Sequence, residues 1–285
     1  MSNEGVSVII PAYNEQGAIT DTLKRVYAVF RGLDRPFEVI VVDDGSSDET
    51  GALAKNAGAI VITNPLNGGY GLSLRRGILE AHYGIIAITD ADGTYPVEEF
   101  PKLLKEYDRG FAMVVGARQG KFYEGSLVKS FSRKVFRWLA EYTAGRGIPD
   151  INSGLRVFNI ALAKKYLMET CLGFSFTTSL TLIFMSRGHL VAYMPIPYHA
   201  RIGKSKVRHV RDALQTMQIL TETIARYNPV KLFLLLGICT AGLAILFLLS
   251  GYLRQNAVWE LGGLVGIFTA ILVFAIGFIA PRIDR

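Results

Sequence analysis

The chain has 285 residues, 50% of them apolar, and 31 Lys or Arg against 24 Asp or Glu give a formal net charge of +7. That length suits one sizeable α/β domain plus an appendage, and the apolar excess is high for a wholly soluble enzyme. Two cysteines without motif spacing, Cys171 and Cys239, exclude a disulfide framework and a cysteine zinc site, as expected of a reducing compartment.

The N-terminal residues lack a basic-then-apolar leader and run directly into a strand at 6–10, closed by Pro11. Apolar residues at helical spacing predict a helix over 17–30 (Ile19, Leu23, Val26, Val29, Phe30). A second strand at 37–42 ends in Asp43-Asp44-Gly45-Ser46-Ser47, followed by a helix at 50–57 and a strand at 59–63. A helix at 71–82 leads to a fourth strand at 84–89, which runs into Asp90-Ala91-Asp92-Gly93. A helix at 97–107, a strand at 113–115 and a basic loop-plus-helix stretch at 121–146 come next. The run 151–158, helices through 166 and at 177–187, and a strand at 190–195 complete this part.

Alternating strands and helices predict an α/β fold, a mainly parallel Rossmann-like sheet with helices on both faces. In such sheets ligands bind beyond the C-terminal strand ends. The polar clusters at 11–15, 43–47 and 90–94 all fall at strand ends, and their convergence is the strongest organising feature of the sequence.

The C-terminal part differs. Between Leu232 and Ala280 only Arg254 and Glu260 are charged, and the apolar runs 232–253 and 257–280 each exceed the roughly 20 residues that span a hydrocarbon core. Only Arg254-Gln255-Asn256 separates them, so a transmembrane hairpin is expected, with a buried soluble helix pair as the alternative. Basic residues before the first run, with Arg282 and Arg285 after the second, place both ends and the catalytic domain in the cytoplasm. Residues 211–227 have an amphipathic pattern suited to the membrane surface. The expected organisation is a soluble domain at 1–210, a juxtamembrane helix at 211–230 and an anchor at 231–281. Arg201, Lys204, Lys206, Arg208 and Arg211 occur without an intervening acid and abut the apolar run. An anionic lipid surface or a phosphate-bearing substrate therefore explains them better than nucleic acid. Gly262, Gly263, Gly266 and Gly277 would permit close helix approach, in a homo-oligomer for example.

On an extended segment Asp90 and Asp92 point the same way. Two carboxylates so close favour a hard divalent cation, Mg2+ or Mn2+, shared with substrate phosphates. Asp44 has two readings, a ligand for a ribose hydroxyl or base edge and part of a helix-capping turn with Ser47 or Asp48. Tyr13 supplies a ring able to lie near a base. Gly68-Gly69-Tyr70-Gly71 lacks the third glycine of a dinucleotide fingerprint and reads as a loop-to-helix turn. His82, His189, His199 and His209 show no metal spacing.

Together, VSVIIPAYNE (6–15), VIVVDDGSSDET (39–50), ITDADGTYP (88–96) and MVVGARQG (113–120) resemble family-two glycosyltransferases of the GT-A fold. Asp150-Ile151-Asn152-Ser153-Gly154-Leu155-Arg156, GFSFTTSLTL (173–182) and Arg201-Ile202-Gly203-Lys204-Ser205-Lys206 narrow the likeness to dolichyl-phosphate mannose synthases and related polyprenyl-phosphate glycosyltransferases. The resemblance implies a UDP- or GDP-linked sugar donor and a polyprenyl phosphate acceptor. It implies that Pro11, Tyr13, Glu15, Val42, Asp44, Asp90 and Ala91 bind the nucleotide. Asp90 and Asp92 would hold the metal with Thr94 nearby, and Asp92, Arg118, Arg201 and Lys206 would form the catalytic and phosphate-binding set.

One departure is informative. Transferases acting on hydroxyls need a carboxylate base on the helix after a GFS-like turn, whereas here Phe174-Ser175-Phe176-Thr177-Thr178-Ser179 contains no acid. A phosphate monoester is already ionised and needs none. Arg137-Trp138 lacks the glutamine of processive synthases, so chain polymerisation is not expected. The rival readings are a transferase using another membrane acceptor such as a diacylglycerol, which needs a base, and a non-catalytic membrane scaffold.

Overall fold

A computed structural model describes residues 4–120, 127–173, 175–199 and 229–279, with residues 218, 221, 222 and 225 between them. The predicted juxtamembrane helix and the basic cluster, Arg201 and Lys206 included, lie outside the described residues apart from those few positions. The chain divides into two compact units, Met1–Ile219 and Leu220–Arg285.

The first unit is built on a seven-stranded sheet of order β3-β2-β1-β4-β6-β5-β7. Its strands are β1 (Val6–Ala12), β2 (Phe37–Asp43), β3 (Ile60–Thr63), β4 (Ile85–Ile88), β5 (Met113–Gln119), β6 (Arg156–Asn159) and β7 (Val191–Pro197). β1 lies parallel to β2 and β4, β2 to β3, and β5 to β7, while β6 is antiparallel to both of its neighbours. β4 and, apart from the buried Ser7, β1 are apolar throughout because both faces are covered, so period-two alternation is absent from them.

On one face, Val6, Val8, Ile10, Val39, Val41 and Val157 pack against α1 (Ile19–Arg31) and α4 (Phe100–Tyr107) through Leu23, Val26, Phe30, Phe100 and Leu103. The opposite face takes α3 (Tyr70–Glu80), where a Cβ at Gly77 would sit 2.5 Å from Ile9 Cγ2 and 3.3 Å from Val42 Cγ2. Farther along that face Phe184 meets Phe158 edge-on at 6.5 Å. The remaining helices are α2 (Thr50–Asn56), α5 (Leu127–Ala144), α6 (Ile160–Tyr166) and α7 (Phe176–Ser186).

Three differences from the sequence reading have physical causes. α1 starts at Ile19 because the amides of Ala18 and Ile19 both close a turn on Glu15 O, at 3.0 and 2.9 Å. β5 and β7 run longer than their apolar cores, since backbone pairing continues from Met113↔Val191 to Gln119↔Pro197. Of residues 151–158 only those from Arg156 onward enter a strand, because Asp150 accepts the Asn152 amide (3.2 Å) and bends the chain before it.

The second unit is a helical hairpin of α8 (Pro229–Arg254) and α9 (Ala257–Ile279), both long and apolar enough to cross a membrane. Gln255, at φ 48°, turns the chain, and Asn256 Oδ1 caps α9 by accepting the Val258 amide at 3.0 Å. Leu243 (59%), Leu246 (62%), Leu264 (60%) and Phe268 (63%) are among the apolar side chains left exposed. A soluble core pair would bury such residues, whereas lipid tails solvate them, so the hairpin marks a membrane protein. Three of the glycines considered for oligomerisation are consumed inside the hairpin. A Cβ at Gly263 would fall 2.4 Å from Leu248, at Gly266 2.7 Å from Ala244, and at Gly277 2.5 Å from Phe233.

Gly77 sits where α3 rests directly on β1 and β2, so Gly77→Ala is expected to overpack the sheet. Thermal unfolding of the detergent-solubilised chain should register a loss of about 1–3 kcal/mol.

Candidate active site

The parallel register of β2, β1 and β4 aligns Ala12 with Asp43 and Ile9 with Ile88, so the three polar strand ends emerge along one edge. They are tied to each other by side chains. Asn14, held at φ 51°, donates its amide to Ser46 Oγ (2.9 Å), and its Oδ1 accepts the Ser47 amide (2.8 Å). The Glu15 amide reaches Thr50 Oγ1 at 2.8 Å. Capping-type residues therefore serve turns both across two strand ends and within one, where Asp43 Oδ1 accepts the Ser46 amide (3.0 Å) and Asp48 Oδ1 accepts the Thr50 amide at the start of α2 (3.1 Å). Tyr13 and Glu15 are half-buried on this joint.

Asp44 closes the next junction. Its Oδ1 accepts from Asn64 Nδ2 (2.5 Å) and the Gly68 amide (3.0 Å), and its Oδ2 accepts the Gly69 amide at 2.8 Å. The carboxylate is 4% exposed and organises the loop before α3, a task that its strand-end position alone did not reveal. Pro11 and Val42 pair with each other in the sheet and are buried, with Val42 packed against α3, so both lie beneath the loops.

At the end of β4, Thr94 donates its amide (3.0 Å) and its hydroxyl (2.6 Å) to Asp92 Oδ1, with Gly93 at φ 73° making the turn. Ala91 is fixed through its carbonyl, which accepts Thr22 Oγ1 of α1 at 3.0 Å. Asp90 Oδ1 accepts the Tyr70 hydroxyl at 3.1 Å. A Cβ at Gly154 would lie 3.0 and 3.2 Å from the two Asp90 oxygens, so only glycine leaves the space beside this carboxylate open. Asp90 and Asp92 fit a divalent ion held by carboxylates and completed by substrate oxygens. Among the described residues no third acidic, histidine or cysteine ligand joins them, and hard Mg2+ or Mn2+ sites need none.

Arg118 forms a bidentate pair with Asp150, Nε to Oδ2 at 2.7 Å and Nη2 to Oδ1 at 2.9 Å, with the Arg118 amide also on Oδ2 at 3.1 Å. Its guanidinium lies over the Tyr198 ring at 5.3 Å. Arg118 thus joins the end of β5 to the 150–156 segment, and a phosphate would have to share it with Asp150. Burial alone would raise the Asp150 carboxyl, but Arg118 and the amides of Arg118 and Asn152 outweigh that and hold it below its ordinary value. The His199 amide donates to Thr94 O at 3.0 Å, so the chain leaving β7 is tied to the Asp90–Thr94 turn just before Arg201.

The sequence reading assigned no role to several residues that shape this edge. Arg156 is fully buried and donates to Ser153 O and Thr177 O (each 3.0 Å from Nε and Nη1) and to Thr181 Oγ1 at 3.0 Å. It thereby fixes the backbone leading into Gly154. Tyr95 accepts the Gly154 amide at 2.7 Å. Asp150, Gly154 and Arg156 all belong to one motif run, so the signal was present, but their partners come from distant segments.

This arrangement, carboxylates at adjoining parallel strand ends of a mixed sheet, is that of an α/β protein with its ligand site at the C-terminal strand edge. Residues 7–172 match glycosyl transferase family 2, and the chain belongs to that family. It is 28% identical to undecaprenyl-phosphate 4-deoxy-4-formamido-L-arabinose transferases of Salmonella dublin and Salmonella enteritidis PT4, over 94% of this chain and 83% of theirs. Among solved structures, glucosyl-3-phosphoglycerate synthase from Mycobacterium tuberculosis with UDP has a similar fold, with TM-score 0.63 and 20% identity over 77% of this chain and 79% of that one. The same enzyme with Mn2+, UDP-glucose and phosphoglyceric acid gives TM-score 0.62 at 20% identity, again over 77% and 79%.

The Asp150–Arg118 pair makes a pH-dependent contribution. Because the folded-state carboxyl is depressed, the stabilisation is complete above the ordinary carboxylate range and is lost as the pH falls through the lower folded-state value. Asp150→Ala, which leaves Arg118 with its partner removed, should cost about 3–5 kcal/mol at neutral pH. The thermal midpoint, scanned from about pH 3 to 7, should lose this acid-side slope in Asp150→Asn.

Proposed function

We propose that this glycosyltransferase moves a sugar from a UDP- or GDP-linked donor to a polyprenyl phosphate at the cytoplasmic face of the membrane, with inversion at the anomeric carbon. The observation that carries the acceptor is the first turn of α7. That turn holds Phe176, Thr177, Thr178 and Ser179 and no acid. The carboxylate bound nearest to it through Asn152 is Asp150, which is committed to Arg118 and held below its ordinary pKa. A depressed, paired carboxylate is a poor general base, whereas a phosphate monoester acceptor needs no deprotonation. The named Salmonella relatives act on undecaprenyl phosphate, and their likeness spans nearly the whole chain.

Tyr13, Glu15 and the Asp44-organised loop form the nucleoside end of the site. Asp90 and Asp92 would hold Mg2+ or Mn2+, with Thr94 fixing Asp92, and the ion would neutralise charge on the departing diphosphate. The acceptor phosphate oxygen bonds to the anomeric carbon as the bond to the nucleoside diphosphate breaks, and the diphosphate leaves with that electron pair. Arg201 and Lys206 are assigned to phosphate binding, with Arg118 sharing its guanidinium. Most of the rate then comes from positioning and electrostatics. The hairpin would anchor the chain to the membrane in which a polyprenyl acceptor is dissolved.

The test uses the full-length protein in detergent with undecaprenyl phosphate and radiolabelled UDP- and GDP-sugars. A labelled lipid should form with at least one donor, and Asp92→Ala should abolish it. Full activity in Asp92→Ala would sink the metal assignment, and no product from any donor would sink the transferase reading.

A further inference from the structure

The residue that aims Asp90 is not itself acidic. Tyr70 opens α3, and its backbone is fixed on both sides by glycines that nothing else could replace. Gly69, at φ 92°, gives its amide to Asp44 Oδ2 at 2.8 Å. A Cβ at Gly71 would fall 2.6 Å from the Leu172 carbonyl carbon and 2.7 Å from both Cys171 O and Gly173 O, so the helix start is pressed onto that backbone. The Leu72 amide donates to Leu172 O at 3.0 Å, locking the same contact. From this anchored position the Tyr70 hydroxyl reaches Asp90 Oδ1 at 3.1 Å.

Burial, reinforced by the Asp90 charge, lifts the Tyr70 phenol well above its ordinary value. The hydroxyl serves Asp90 as a donor by its geometry. The same residue bridges two parts of the site, because the amides immediately before it are those held by Asp44.

Resting on the metal assignment of the proposed function, we propose that Tyr70 is a positioning residue. It donates to one oxygen of Asp90, presents the carboxylate to the divalent ion, and couples that geometry to the Asp44 loop. A group that orients a ligating carboxylate commonly changes metal affinity 10- to 100-fold when removed. Gly154 supplies the complementary half, since a Cβ there would fall 3.0 and 3.2 Å from the two Asp90 oxygens.

Full-length protein in detergent is titrated with Mn2+ alone, following the electron paramagnetic resonance signal of the free ion. Tyr70→Phe should raise the Mn2+ Kd by about 10- to 100-fold while its metal-free thermal midpoint stays within about 4 °C of wild type. Gly154→Ala, whose Cβ would press on both Asp90 oxygens and, at 3.2 Å, on the Tyr70 hydroxyl, should also weaken Mn2+ binding. In turnover, the KM for Mn2+ should rise in Tyr70→Phe and the KM for the polyprenyl phosphate should not. Wild-type Mn2+ affinity in Tyr70→Phe overturns the proposal, and so does weakened binding that appears only with a collapsed metal-free midpoint. If wild type itself binds no Mn2+, the metal assignment has failed, a result visible before any variant is compared.

Discussion

Everything at this site depends on three neighbouring strands running parallel and in step. With β1 between β2 and β4, the register that sets Ala12 beside Asp43 and Ile9 beside Ile88 brings three polar turns to one edge. The turns are then closed onto one another by groups that also look like ligands. Asn14 joins the first two ends, Asp44 gathers the loop before α3, and Tyr70 carries that loop to Asp90. Slippage of one strand by a single residue would invert its side chains and separate these contacts. The sheet therefore acts as the ruler for the chemistry, and the buried apolar runs that make it are the first requirement of function.

Charge is managed along the same edge by pairing and by burial. Asp150 and Arg118 neutralise each other and hold β5 to the 150–156 segment, while Arg156 sits deeper and satisfies its donors on carbonyl and hydroxyl oxygens. Buried ion pairs add little net stability, but loss of one partner is costly, so such a pair fixes geometry more than it strengthens the fold. The consequence for mechanism is that the carboxylate near α7 is structural. An acceptor that brings its own negative charge does not need that carboxylate as a base.

Much of this was legible in the residues. Apolar runs ending in Asp-rich turns announced strands with ligands at their tips, and two long apolar runs, with Glu260 the one charge inside them, announced the hairpin. Partnership was not legible. Asp44 reads both as a nucleoside contact and as part of a turn, and Arg118 as a phosphate contact, but residue type does not reveal the bonds of Asp44 to Asn64, Gly68 and Gly69 or of Arg118 to Asp150. Tyr70 was passed over because a Gly-Gly-Tyr-Gly turn carries no signature of its long-range bond. The antiparallel direction of β6 was also hidden, since a four-residue strand, here Arg156-Val157-Phe158-Asn159, reads the same in either direction. In the hairpin, glycines that would serve association equally well between chains are spent within one.

The central claim is that the acceptor is a phosphate, because among the described residues the first turn of α7 holds no acid and Asp150 is paired with Arg118. Purified full-length protein, given its labelled donor, is offered undecaprenyl phosphate in one mixed micelle and undecaprenol or diacylglycerol in another, and initial rates of lipid labelling are compared. The account predicts labelling of the phosphate lipid alone. Comparable labelling of either hydroxyl lipid would contradict it.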